Sequence, residues 1–189
     1  MNAPVSSGRT RHKFTLDAWA AMDAAGVLPR DIELELIDGD LVEMPADGPG
    51  HKRYQLALSR LLVRSLPEPW AVSIDQTLPI AGSNGPKPDF HVYAETIHEK
   101  DLKATDVVWV IEIADTSLDF DLGVKAALYA QAGIADYWVI DVAAKAIIVH
   151  RAPQDGAYRE VRTIAAAESV APLCAPALPV RLNDLPRLD

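Results

Sequence analysis

The chain has a single cysteine, Cys174, among 189 residues. One thiol closes no internal disulfide and builds no cysteine-ligated zinc site, so neither device holds this fold. The count fits a reducing, cytoplasmic setting. Cys174 lies in an Ala/Pro/Leu-rich stretch and reads as a small buried hydrophobe rather than a reactive thiol. Long apolar runs are lacking too. The longest, VVWVIEI at 107–113, is interrupted by Glu112, and none approaches the roughly 20 residues that span a bilayer. The opening MNAPVSSGRTRHK has no apolar segment of a secretory signal. A soluble protein without a membrane partner is expected. Positive charge is also short: 18 Lys and Arg stand against 27 Asp and Glu, a net charge of −9. Affinity for DNA by charge alone comes from neutralising phosphates with basic residues. A non-specific DNA coat is therefore excluded. Nucleic acid stays open as a partner where basic residues cluster, or where a metal ion offsets carboxylates.

What is present suits one globular domain. Apolar residues make up 49% of the chain, enough for a sizeable core at this length. Residues 1–13 read as a flexible arm and 14–189 as a single domain. Thr15 can N-cap a helix over 16–25 that Gly26 closes. Two alternating runs, 33–37 and 41–44, flank Asp38-Gly39, a hairpin signal. Helical spacing of Tyr54, Leu58, Leu61 and Leu62 marks a helix over 51–66, stopped by Pro67 and Pro69. Strands are expected at 71–80, 89–93, 107–113, 137–142, 146–150 and 158–164. A helix over 119–132 lies between the third and fourth of these, and a Pro-rich tail trails off. The class is α/β: a mixed sheet flanked by helices, with an N-terminal β-hairpin. The length from 107 to 142 fits a β–α–β crossover.

Glu112 is the most telling position. A charge inside a buried strand is costly unless it is paired or binds a metal. The plainer alternative is that Glu112 faces solvent while Trp109 and Val110 serve the core. Asp89 follows Pro88 at the start of another strand, and proline pushes Lys87 toward extended geometry. Carboxylates on neighbouring strands can share a divalent cation such as Mg²⁺, which prefers oxygen ligands. Lys125 lies on the helix after the Glu112 strand, four residues from both Asp121 and Tyr129 and so near one face with them. It either reaches across to the strand or sits in solvent paired with Asp121.

These stretches resemble a bacterial family of restriction endonucleases, the Uma-two family. The long run VVWVIEIADTSLDFDLGVKAALYAQAGIADYWVID carries the resemblance. ELIDGDLVEM at 35–44, GPGHKR at 48–53 and KPDF at 87–90 reinforce it by order and spacing. That family is similar to the PD-(D/E)xK nuclease superfamily, which implies a restriction-endonuclease-like core. The resemblance implies Asp89 and Glu112 as ligands of Mg²⁺ or Mn²⁺, with Lys125 as the third catalytic residue. The pattern's lysine normally stands two residues after the glutamate; that position here is Ala114, and the resembled family carries its lysine on the following helix. Glu35 and His51 match further family positions. Otherwise Glu35 is a hairpin surface charge and His51 a capping or solvated histidine. Lys52, Arg53, Arg60 and Arg64 are either phosphate contacts or a solvated basic face. Asp141 reads as a turn carboxylate, and Tyr137 and Trp138 as core or interface aromatics.

Two functions follow. The first is a metal-dependent endonuclease acting on DNA, a phosphodiester hydrolase. The alternative is a non-enzymatic interaction or nucleic-acid-binding module that keeps the nuclease fold, since fold does not dictate function. A homodimer through exposed apolar strands or Trp138 suits either, as does a separate partner that supplies specificity.

Overall fold

Asp38 and Gly39 both adopt positive φ, 47° and 73°, in the computed structural model, which describes residues 11–185. That conformation matches the twist of the strands it joins. The turn links β1 (Glu33–Ile37) to β2 (Asp40–Met44) as an antiparallel pair. Ahead of the hairpin, α1 (Leu16–Ala24) starts where the Thr15 hydroxyl accepts from the Ala18 N–H at 3.1 Å. Of the arm expected over 1–13, residues 1–10 lie outside the described residues. Lys13 is tied to the hairpin through Asp40 at 2.8 Å and Asp38 at 3.2 Å.

The main sheet has six strands in sequence order: β3 (Trp70–Ile74), β4 (Phe90–Ala94), β5 (Val107–Ala114), β6 (Asp136–Asp141), β7 (Ala146–Gln154) and β8 (Ala157–Ala165). β5 and β6 run parallel and every other neighbouring pair is antiparallel. A parallel pair needs a crossover. The helix α3 supplies it over 118–131, in three continuous segments: α-helical Leu118–Phe120, π-helical Asp121–Lys125 and α-helical Ala126–Gln131. The strand expected over 71–80 ends at Ile74 because Asp75 turns the chain with φ 52°. Leu78 and Ile80 alternate like strand residues because they are buried in the core, yet they lie in a loop. That loop, 75–89, is fastened to the hairpin by a two-way backbone bridge between Leu36 and Gly85.

β5 sorts its side chains by parity. Trp109, Ile111 and Ile113 join a core with Tyr54, Leu58 and Leu62 of α2 (Pro49–Ser65). Val110 and Ala114 join the opposite core with Ala126, Leu128 and Tyr129 of α3. Period-two alternation sends Glu112 to the α3 side. Trp138 is 1% exposed and packs edge-on against Trp109 at 4.6 Å. It is a core aromatic and offers no dimer contact. The Pro-rich tail does not trail off. Val170 and Val180 bridge each other, and Val180 and Leu182 are buried over the α2-side core. The Cys174 carbonyl accepts from the Trp70 indole at 3.0 Å. Burial, then the charge of Asp136, pushes the Cys174 thiol up to about 11, which keeps it protonated and unreactive.

Candidate active site

Three pieces of chain meet where β4 enters the sheet and β5 leaves it. Phe90 pairs with Ile111, so Asp89, one residue before β4, stands beside Glu112 at the end of the ladder. The Ile113 N–H donates to Asp89 Oδ2 at 2.6 Å. α2 closes one wall. Its N-cap is Gly48, where a Cβ would collide with the Asp115 carboxylate just after β5. That close approach sets His51 against Asp89, with Nε2 to Oδ1 at 2.7 Å. His51 is therefore neither a cap nor solvated. The hairpin closes the other wall with Glu35, 2% exposed and no surface charge.

α3 covers the centre. Lys125 is 3% exposed, so the solvated alternative fails. Its Nζ donates to Glu35 Oε1 and Glu112 Oε1, each at 3.0 Å, and lies 3.8 Å from Asp121 Oδ1. Glu112 is equally buried and also accepts from the Tyr129 hydroxyl at 2.7 Å. The π-helical turn carries both Asp121 and Lys125 inward; such turns occur mostly as local insertions in α-helices, often at functional sites. Asp121 Oδ2 accepts from Ser117 Oγ at 2.5 Å. Glu35 Oε2, Asp121 Oδ1 and His51 Nδ1 are buried with no hydrogen-bond partner among the described residues.

Charge dominates this place. The cavity, about 100 Å³, is lined by eight carboxylates, two lysines and one histidine. Burial raises the Glu112 pKa well above the usual carboxylate range, against the opposing pull of Lys125. Burial also raises Glu35 and Asp121. Burial alone would discharge Lys125, but Glu112, Glu35 and Asp121 outweigh it and hold the ammonium protonated. Burial likewise works against the His51 cation; the Asp89 hydrogen bond and the charges of Asp89, Asp47 and Asp75 outweigh it and raise its pKa.

All five residues singled out from sequence, Asp89, Glu112, Lys125, Glu35 and His51, thus line one cavity. Lys52, Arg53, Arg60 and Arg64 do not line it. Asp141 accepts from the Ala144 N–H at 2.8 Å, a turn contact. Sequence reasoning missed the site roles of Asp121 and Tyr129, although both stand four residues from Lys125. It also missed Asp47, Asp75 and Asp115, which come from loops and carry no periodic signal.

A sequence profile of the Uma2 family, described as "Putative restriction endonuclease", matches residues 19–183. The chain belongs to the Uma2 family. The Uma2 fold has a solved counterpart in the crystal structure of a "putative nuclease belonging to DUF820" from Anabaena variabilis. The two share 19% identity and a TM-score of 0.65, over 91% of this chain and 97% of that one. At that identity the likeness establishes the shared α/β fold alone. No curated protein matches the chain. No helix of the described residues is long and apolar enough to cross a membrane. Within this Uma2 site, Ala114 takes the place two residues after Glu112, and the ammonium beside Glu112 comes from α3 instead.

Proposed function

We propose that the protein is a divalent-metal-dependent endonuclease that hydrolyses phosphodiester bonds in DNA. Asp89 and Glu112 are the ligands of Mg²⁺ or Mn²⁺, and Lys125 steadies the charge that develops on the reacting phosphate. The surplus of buried carboxylates carries this reading. Eight carboxylates face two lysines and one histidine in the cavity, so a phosphodiester entering alone meets net repulsion. A divalent cation reverses that. The donor set also fits: oxygen ligands predominate, and Glu35 Oε2 and Asp121 Oδ1 are buried acceptors without donors among the described residues. Among the described residues no group of three His, Cys, Asp or Glu side chains surrounds one point. Mg²⁺ is commonly held by one or two carboxylates and keeps several waters, so this reading asks no more of the chain than Asp89 and Glu112.

When bound, such a cation polarises the phosphoryl oxygen and lowers the pKa of a water nucleophile. The chain's own groups supply the positioning. His51 and the Ile113 N–H fix the two oxygens of Asp89. Tyr129 and Lys125 fix Glu112. Lys125 is held protonated, so it acts as a donor and a fixed positive charge, not as a base.

The test is cleavage of supercoiled plasmid and of single- and double-stranded DNA with Mg²⁺ or Mn²⁺, alongside calorimetric metal titration. Wild type should cut, and Asp89→Ala and Glu112→Gln should each lower the rate by at least about 10²-fold, since ligands matter more than the outer partners that support them. Both variants should lose the heat of metal binding. If wild type cuts no DNA or RNA and gives no metal heat at millimolar concentration, the enzyme reading falls and the interaction module takes its place.

A further inference from the structure

The outer edge of the main sheet is β8, nine residues long, and it has no neighbour beyond it among the described residues. Among the described residues, no backbone hydrogen bond reaches residues 157–164 from outside the β7 ladder. Exposed edges of this length are usually blunted by charged side chains (lysine above all), proline, short length or a covering segment, and the charges on β8, being of both signs, restrict pairing to a partner that complements them. β8, AYREVRTIA, has neither Lys nor Pro, and Arg159, Glu160, Val161, Arg162 and Thr163 are all exposed. Val161, at 55% exposed, puts an apolar side chain at its middle. The opposite edge, β3, has five residues and follows Pro67 and Pro69.

The charges on β8 complement themselves. Glu160 stands opposite Arg151 of β7, but Arg151 is committed to Asp136 at 2.9 Å. Neither Glu160 nor Arg162 forms an ion pair within the described residues; Arg159 pairs with Asp155. An antiparallel ladder between two copies, related by a two-fold axis, preserves its hydrogen-bond pattern only when the axis passes through a residue pair. Centred on Val161, it sets Glu160 opposite the partner's Arg162 and Arg162 opposite the partner's Glu160. Val161 then meets the partner's Val161 and Arg159 the partner's Thr163. Centring on Glu160 or Arg162 instead brings like charges face to face, which is destabilising.

We propose that a second copy of this chain docks on β8, antiparallel and centred on Val161, to form a homodimer whose main sheet runs continuously through both copies. This is edge-strand addition with the specificity supplied by two reciprocal Glu160–Arg162 pairs. It depends on neither metal binding nor catalysis.

Sedimentation velocity of the full 189-residue chain across the micromolar range tests it. Wild type should be dimeric. R162E and E160R should each weaken the dimer by at least about tenfold, because each reversal acts twice across the axis. The double variant E160R/R162E restores complementarity and should return the dissociation constant to within about threefold of wild type. Both positions are exposed, so circular dichroism should show all variants folded. A wild type that stays monomeric, a dimer indifferent to the single reversals, or a double variant that fails to recover would each overturn the proposal.

Discussion

Replacing Lys125 by Met removes one buried charge while nearly keeping the side chain's length and bulk. In the folded protein that ammonium touches Glu35 and Glu112 at 3.0 Å and faces Asp121 at 3.8 Å. Without it, three buried carboxylates face one another. If they stay ionised, the uncompensated buried charge costs about 3–5 kcal/mol. If one takes up a proton, the cost at about pH 7.5 is at most ~4 kcal/mol, three units above the ordinary value at ~1.4 kcal/mol per unit. The cheaper route prevails, so the variant should lose about 3–4 kcal/mol. Its pH dependence identifies the route. A carboxyl whose folded pKa lies above its unfolded value contributes stability that is full below the ordinary range and lost as pH rises through the folded value. Burial raises Glu112, Glu35 and Asp121 in that sense already. Losing Lys125 removes the group that pulls them down, so the variant should regain up to ~1.4 kcal/mol per unit as pH falls from about 7.5 to 5.5. Wild type should move less. Urea unfolding followed by fluorescence reads this directly, because Trp109 and Trp138 are fully buried reporters. A variant within about 1 kcal/mol of wild type at every pH, or a loss that ignores pH, would refute charge balance as the role of Lys125.

Tyr129→Phe keeps the ring and removes only the hydroxyl that donates to Glu112 at 2.7 Å. It should cost about 1.5–3 kcal/mol in urea unfolding, the range for a hydrogen bond to a charged group; an unchanged midpoint would mean that Glu112 does not depend on it. His91 is 1% exposed with both ring nitrogens unpartnered among the described residues, and burial lowers its pKa to about 4. Its contribution is full above the ordinary value of 6.5 and is lost as pH falls from there toward about 4. Wild type should therefore lose about 2 kcal/mol between roughly pH 7.5 and 5 that His91→Leu does not lose. Equal pH slopes in the two proteins would rule that account out.

Sequence was most informative where local chemistry decides the conformation. The Asp38-Gly39 turn, the Thr15 cap and the β5–α3–β6 crossover formed as their patterns predict. It was weaker where tertiary contact decides. Leu78 and Ile80 alternate as strand residues do, yet they fill the core from a loop, because burial and not pairing selects them. The tail from 166 onward looked loose, but Val180 and Leu182 cap the α2-side core. Spacing alone left Lys125 between solvent and strand. The deciding facts were which helix covers the face of β5 that carries Glu112 and that this helix is locally π, and neither shows in periodicity. Lys125 is buried against Glu112 rather than set in solvent; neither spacing nor resemblance supplied the loop carboxylates at 47, 75 and 115.

The place of Ala114 explains how the ammonium can come from the helix. Side chains two apart on a strand share a face, so residue 114 sits on the α3 side with Glu112. A lysine there would compete with Lys125 for the same carboxylates. Ala114 is small and 2% exposed, which leaves the space beside Glu112 to a side chain descending from α3. The helix, in turn, delivers more than the charge. One π-helical turn and the residues just after it bring Asp121, Lys125 and Tyr129 to the same place. A strand lysine would be held by the sheet alone. Lys125 is held by carboxylates from the hairpin, the sheet and its own helix. Its position therefore depends on all three elements packing together, and a shift of any one loosens the ammonium from Glu112.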